Sequence, residues 1–480
     1  MRPSLLPSST LLLTVGFRLL AVAAFVALTL PRMAQPGMFS DGVLYASVSR
    51  NLAQSEGSFW APRYTATIYP RFVESPPLGL ALEAIAFRGF GDHLAVERTY
   101  AGLLGLATLA LIVVLWRTSG GDWRGDWLPL LFWIVPGITT WTVVNNMLEN
   151  TQVVFTTAAV LAGILSVSGR RIPIASVAAG ALIAAAVLTQ GPVGLFPLGV
   201  PLLYVMFLDR GRLRVALGVT GLMVATLAAI AGGLMAYAPA REALVAYLQA
   251  HLHASLAVTR EGAATGRGQF SEILFVDVLA GMVALLMVIW VLAPRPRARP
   301  TADARALFFI AVGLAGSGPM ATSTKVMGHH FAAAIPMFAI GFGMLAWPFV
   351  ATAFERPLRG RLLAALPAAA GVVLLAAAVA VPLIYGAIES RDQGLVRALW
   401  ILGRSFPERP IMAICAAAND EWSLHAYVQR FYKGSLDASG TPRDLFLRVM
   451  DRECPVPAPC VRTRFAGGLE LYACGNGSGF

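Results

Sequence analysis

Long apolar runs separated by short polar stretches fill most of this chain. A helix needs about 20 predominantly apolar residues to cross the hydrocarbon core of a bilayer. Runs near that length cover Leu11–Leu30, Thr99–Trp116, Trp127–Val144, Thr151–Val167, Ile174–Leu188, Val193–Leu208, Val215–Ala236, Ile273–Leu292, Ala306–Ala321, Phe331–Val350 and Leu362–Ile384. The pattern predicts an all-α polytopic membrane protein with about 11 transmembrane helices. Gly79–Phe90 is apolar but too short to cross, and reads as an interfacial or re-entrant helix.

Past residue 386 the Ala/Val/Leu runs give way to Glu389-Ser390-Arg391-Asp392 and then to Pro407-Glu408-Arg409-Pro410. The chain therefore divides into a membrane domain, residues 1–386, and a small α+β C-terminal domain, residues 387–480. In the tail, Pro410–Ala416 predicts a strand and Gly468–Cys474 a closing strand. Glu421–Tyr432 predicts a helix with Asn419 or Asp420 near its cap.

Arginine placement orients these elements. With a cytoplasmic N-terminus, alternate loops carry Arg117 and Arg124; Arg170 and Arg171; Arg210, Arg212 and Arg214; Arg295, Arg297 and Arg299; and Arg356, Arg359 and Arg361. This is the positive-inside pattern, and it makes the net charge of +11 a topology signal. Nucleic-acid binding would need a basic face on a soluble domain, and none is visible. The loops Pro31–Arg98 and Ala238–Glu272 then face outward together with the tail. The first run reads as a signal anchor, because it has the length of a full span and lacks a small-residue cleavage site. Cys454, Cys460 and Cys474 lie in the tail, where an oxidising periplasm permits pairing; Cys415 is the fourth cysteine, and three full pairings stay open. The expected setting is a bacterial inner membrane, with the C-terminal domain in the periplasm.

Charged residues make up 13% of the chain, about half the roughly 25% of soluble domains. A dense polar cluster therefore needs a reason, and the densest lies between Met38 and Arg98. It holds Asp41, Tyr45, Arg50, Arg71, Glu74 and Arg98. Taken singly, Asp41 in Ser40-Asp41-Gly42 suits a turn or a helix N-cap. Glu74 before Pro76-Pro77 suits a loop held extended. Taken together, they suit a general base for a hydroxyl acceptor at the water–lipid boundary, with a second carboxylate as orienter or metal ligand. His251 and His253, two apart, fall on different faces of a helix. Lys325, His329 and His330 either snorkel to the interface or neutralise a phosphate. Asp41, Glu74, Arg98, Glu149, Gln190, His251, Lys325 and His329 all fall at outward ends of spans or in outward loops. Ionisable groups in mid-span, the mark of ion pathways, are nearly absent.

The ordered pieces resemble the GT-C glycosyltransferases, the superfamily that holds protein O-mannosyltransferases and the bacterial aminoarabinose transferase of lipid A. The matching pieces are Asp41 with Tyr45, Ala46 and Arg50; Phe72, Glu74, Pro76, Pro77 and Leu78; Ala95-Val96-Glu97-Arg98; Met147-Leu148-Glu149; Leu188-Thr189-Gln190-Gly191-Pro192; and Lys325 with His329 before Pro336. The resemblance implies inverting transfer of a sugar from a polyprenyl (undecaprenyl) monophosphate donor to a lipid, polysaccharide or protein acceptor, at the outer face of the membrane. It implies Asp41 as base or acceptor-orienting carboxylate. Tyr45, Arg50, Arg71, Arg98, Lys325 and His329 would contact substrate. Glu74 with His251 would hold a divalent metal ion, the one cofactor it raises. Relatives carry Asp-Glu where this chain has Asp41-Gly42, and lysines where it has Ser75 and Gln190. Those departures point to Arg71 or Arg260 as compensating cations.

Two other classes compete with this reading. A lipid-linked sugar flippase would show mid-membrane charges or symmetric halves, which the sequence lacks. An oligosaccharide ligase or polymerase usually shows its largest outward loop late in the chain, whereas here the largest follows the first span. A catalytically dead, structural family member is a further reading, given Gly42 and Gln190.

Overall fold

The computed structural model describes residues 8–169, 172–256, 268–293, 303–322, 326–354, 361–385 and 391–474. Among the described residues, nine helices are long and apolar enough to cross a membrane, ten if one bent pair counts as a span. Two of the expected eleven spans depart from a straight helix, and proline explains both. Trp123–Ile134 and Gly137–Val144 meet at a 74° bend, where Pro136 lacks an N–H and its ring crowds the preceding turn. In the expected span Val193–Leu208, Pro192, Pro197 and Pro201 break the ladder. A 3-10 segment, Pro192–Gly199, is followed there by only a short helix, Val200–Phe207. The expected short apolar helix is present as Pro77–Phe90, opened by proline at its first turn.

The chain forms two compact units, and each is described by itself. The larger holds residues 1–31, 101–144 and 148–384. At the arginine-rich end of its early helices, Asp126 is fully buried and accepts from Arg18 Nε at 2.8 Å and Arg117 Nε at 2.7 Å. A buried carboxylate with two guanidinium partners avoids the desolvation penalty of an unpaired charge. It ties helix Ser8–Met33 to the loop after helix Leu94–Thr118.

The second unit joins residues 32–100 and 145–147 to residues 385–480. Its sheet takes five strands, β3 Ile411–Ala413, β4 Ser435–Asp437, β5 Leu445–Val449, β6 Val461–Ala466 and β7 Leu469–Ala473, in the order β4-β3-β5-β7-β6. Strand β3 runs parallel to both β4 and β5, and the remaining pairs are antiparallel. Two further short strands, β1 Gly57–Ser58 and β2 Ala61–Pro62, form a separate hairpin in the first outward loop. Met412, Leu436, Leu447 and Leu471 of the sheet pack on Leu399 of helix Gln393–Leu402 and on Tyr427 and Val428 of helix Trp422–Tyr432. Met38 and Val43, from far upstream, complete this core. The expected strands Pro410–Ala416 and Gly468–Cys474 appear as β3 and β7, and the expected helix begins at Trp422. Its cap residue is Glu421, which makes no side-chain capping bond. The cysteines pair as Cys415–Cys454 and Cys460–Cys474.

Candidate functional site

In the second unit, helix Ser40–Ala53 starts after Phe39, whose extended backbone is the N-cap. Phe39 makes no side-chain cap; its own N–H donates to Asn145 Oδ1 at 2.7 Å. Asp41 lies in the first turn, half-buried, where the helix N-terminus favours a carboxylate. Burial nevertheless pushes its carboxyl above the usual aspartate range. The negative charge of Glu74 pushes the same way, while the Ser40 hydroxyl, 3.3 Å away, and Arg391 pull it down. The two carboxylates of the first loop are thus close enough to interact. Glu74 is exposed and accepts the Tyr69 O–H. The fully buried Tyr64 ring also lies in the field of both carboxylates, and its hydroxyl makes no hydrogen bond among the described residues.

Gly42 is where the backbone comes closest. A Cβ there would stand 1.8 Å from the Asn145 carbonyl oxygen. This is the physical reason that glycine follows Asp41. Gly42→Ala is expected to cost about 1–3 kcal/mol or more through overpacking and to lower activity with it. Thermal melting checks this; an unchanged melting temperature would mean that Asn145 yields freely.

Glu83 holds the same region from below. Its carboxyl is buried, with Ser49 Oγ at 2.7 Å and Asn146 Nδ2 at 2.7 Å. Burial, with Glu97 adding, pushes it up to about 8 against these two hydrogen bonds, so it is largely protonated at neutral pH. It thereby joins helices Ser40–Ala53 and Pro77–Phe90 to the Asn145-Asn146 link without a buried charge of its own.

Several predicted contact residues have other partners. Arg50 is 1% exposed and donates to the Gln429 and Arg430 carbonyls at 3.1 and 3.0 Å and to Asn51 Oδ1. A guanidinium there satisfies the last carbonyls of helix Trp422–Tyr432, so it braces the fold. Arg98 donates Nη2 to the Gly37 carbonyl at 3.1 Å, while its buried Nη1 makes no hydrogen bond among the described residues. It lines a cavity of 370 Å³ with Gln35, Met38, Tyr427, Arg430 and Phe431. Tyr45 is buried on the helix of Asp41, and Arg71 is exposed. Lys325 and Arg260 lie outside the described residues. His251 falls in helix Ala238–Leu256, but its side chain lies outside them too.

The larger unit assembles a different cluster. Glu149 opens helix Glu149–Val167 and is 2% exposed. Gln190, the last residue of helix Ile172–Gln190, donates Nε2 to Glu149 Oε1 at 3.1 Å. His329 Nε2 lies 3.8 Å from the same oxygen, and its ring stacks on Trp141 at 5.8 Å between centroids. His330 meets His329 edge-on at 4.6 Å. Burial, with His330 adding, pushes His329 down to about 3. At neutral pH it offers a lone pair or an N–H in place of the positive charge expected from its position. Glu149, His329 and His330 each bring one ligand atom within 4.8 Å of the others. This cluster was missed in the sequence, although the His329-His330 dipeptide beside two outward span ends was a signal for it. Tyr64, Glu83 and the Asn145-Asn146 link were also missed, and no spacing marks them.

No protein-family model matches the sequence, and no curated protein does. Solved structures match its fold along nearly the whole length. ArnT from Cupriavidus metallidurans bound to undecaprenyl phosphate superposes with a TM-score of 0.61 at 15% identity, covering 95% of this chain and 97% of that one. The archaeal oligosaccharyltransferase AglB from Archaeoglobus fulgidus, in complex with an inhibitory peptide and a dolichol-phosphate, gives 0.50 at 14% identity, with 91% and 69% covered. An oligosaccharyltransferase from Archaeoglobus fulgidus in complex with Zn and sulfate gives 0.53 at 14% identity, with 90% and 68% covered. The chain has the GT-C fold. Of these structures, the similarity in length and shape is greatest to ArnT.

Proposed function

We propose that this protein is an inverting glycosyltransferase of the bacterial inner membrane. It takes a sugar from a polyprenyl monophosphate, undecaprenyl phosphate in the bacterial setting, and passes it to an envelope acceptor on the outer side. The observation that carries the reading is Asp41, a half-buried carboxylate of raised proton affinity at a helix N-terminus, within a full-length GT-C fold. A base works best as its pKa approaches the working pH, and burial moves Asp41 in that direction.

In the proposed step Asp41 takes the acceptor hydroxyl proton as the new C–O bond forms at the anomeric carbon. The bond to phosphate breaks on the opposite face, and its electron pair leaves with the polyprenyl phosphate. Preorganised cations lower the barrier as charge builds on that phosphate. Arg98, Arg71 and Lys325 are the candidates, with Tyr45 near the reacting end. Arg50 is left to its structural contacts, and His329 contributes a neutral hydrogen-bonding ring. Glu74 and His251 would hold the divalent ion; Glu74 is exposed, and the His251 side chain lies outside the described residues. The paired cysteines of the tail favour an oxidising compartment, in keeping with a periplasmic C-terminal domain and a cytoplasmic N-terminus.

Mass spectrometry of envelope glycolipids and glycoproteins from a deletion strain tests the reading. A discrete sugar mass is expected to be lost on deletion and restored by the intact gene. Loss of a whole oligosaccharide would move the protein toward the chemistry of the oligosaccharyltransferase likeness. An unchanged glycan profile would remove the transferase assignment.

A further inference from the structure

Glu149, His329 and His330 converge from two places far apart in the sequence. Glu149 stands at the start of one helix, and the two histidines occupy the 3-10 turn Gly328–Phe331 before helix Ile335–Phe354. Their ligand atoms lie within 4.8 Å of one another. Zinc bound at about 2.0–2.2 Å to nitrogen and oxygen spaces its ligands about 3.4 Å apart in a tetrahedron. Small side-chain rotations close that difference. The supports for such a site are in place as well. Trp141 stacks on His329 and fixes its plane, and Gln190 donates to Glu149 and fixes the carboxylate. Partners of this kind set the orientation of metal ligands. At His330, an ion bound through Nδ1 would compete with the Met327 N–H, which donates to that nitrogen over 3.3 Å.

We propose that Glu149, His329 and His330 form a binding site for a borderline divalent ion of the zinc class. Two imidazoles and one carboxylate suit such an ion better than magnesium or calcium, which favour oxygen ligands. Three protein ligands leave a fourth position open to water or to a phosphate oxygen. The site is inferred from donor geometry alone, and it shares no residue with the pair Glu74 and His251.

The test is metal content of the purified full chain in detergent, stripped with chelator, reloaded with zinc alone and dialysed. Wild type is expected to retain about one zinc per chain, and His329→Ala and Glu149→Gln at least tenfold less. Cobalt substitution is expected to give the visible bands of a four- or five-coordinate ion, lost in the same variants. Gln190→Lys guards against misfolding as the cause. It places an ammonium against the Glu149 carboxylate, competing with a dication at short range, and is expected to keep the melting temperature while expelling the metal. His251→Ala is expected to retain the ion. Wild type that binds no zinc overturns the proposal. So does equal zinc in wild type, His329→Ala and Gln190→Lys, or zinc lost with His251 and kept without His329. None of these readouts depends on finding the sugar or the acceptor.

Discussion

Asp41→Asn is expected to lower turnover by about 10²–10⁴-fold, the usual contribution of a positioned general base, with little change in melting temperature. The second half follows from the contacts. The Asp41 carboxylate takes a 3.3 Å bond from the Ser40 hydroxyl and caps no backbone N–H, so its loss leaves the helix start intact. Asparagine keeps the shape and removes the proton acceptor. The pH profile gives an independent check. A base must be deprotonated, so activity falls as pH drops through the Asp41 pKa. Burial has raised that pKa above the ordinary 3.8, with Glu74 adding, so the acid limb should begin at a higher pH than for a solvent-exposed aspartate. The limb is expected to vanish from the residual activity of Asp41→Asn. Full activity in that variant would return Asp41 to a structural part.

Arg430→Ala is expected to destabilise the protein by about 3–5 kcal/mol, the cost of removing one partner from a buried ion pair. Arg430 is 4% exposed and Glu97 2%. Its Nε and Nη2 donate to the two Glu97 oxygens, each at 3.1 Å, and Nη1 donates to Asp92 at 2.7 Å. Without the guanidinium, Glu97 keeps a buried charge with its chief partner gone. Lysine supplies the charge without the fork, so Arg430→Lys should fall between alanine and wild type. Denaturant or thermal unfolding reads both variants. A loss below about 1 kcal/mol for alanine would mean that the pair is solvated as surface pairs are.

The membrane helices were legible because length and apolarity alone define a span. The failures fell where proline interrupts an apolar run, at Pro136 and between Pro192 and Pro201. Hydropathy does not register a missing N–H. In the tail, β3, β7 and the helix from Trp422 were readable as isolated runs, but β4, β5 and β6 were not. Strand β6 is exposed along most of its length and carries Arg462 and Arg464, so it lacks an apolar alternation. In the site, charge density picked out Asp41 and Glu74, whose mutual influence is now visible. It could not tell a ligand contact from a brace, and Arg50 shows why: a sequence gives the guanidinium but not the carbonyls it meets. His329 was expected as a cation, and the depth of its burial, which decides its charge, depends on neighbours such as Trp141 from another segment.

The core that Met38 and Val43 share with the tail also sets an order of events during synthesis. Residues 32–100 leave the ribosome long before residues 385–480, with the entire stretch 101–384 made in between. Until the last strands arrive, Met38 and Val43 lack the tail side chains they pack against, and long-range closure of this kind is slow and prone to aggregation. A chain halted after helix Arg361–Tyr385 would insert its helices yet leave Asp41 on an unfinished scaffold. Completion of the scaffold around Asp41 therefore waits for the strands between residues 411 and 473 to be translated.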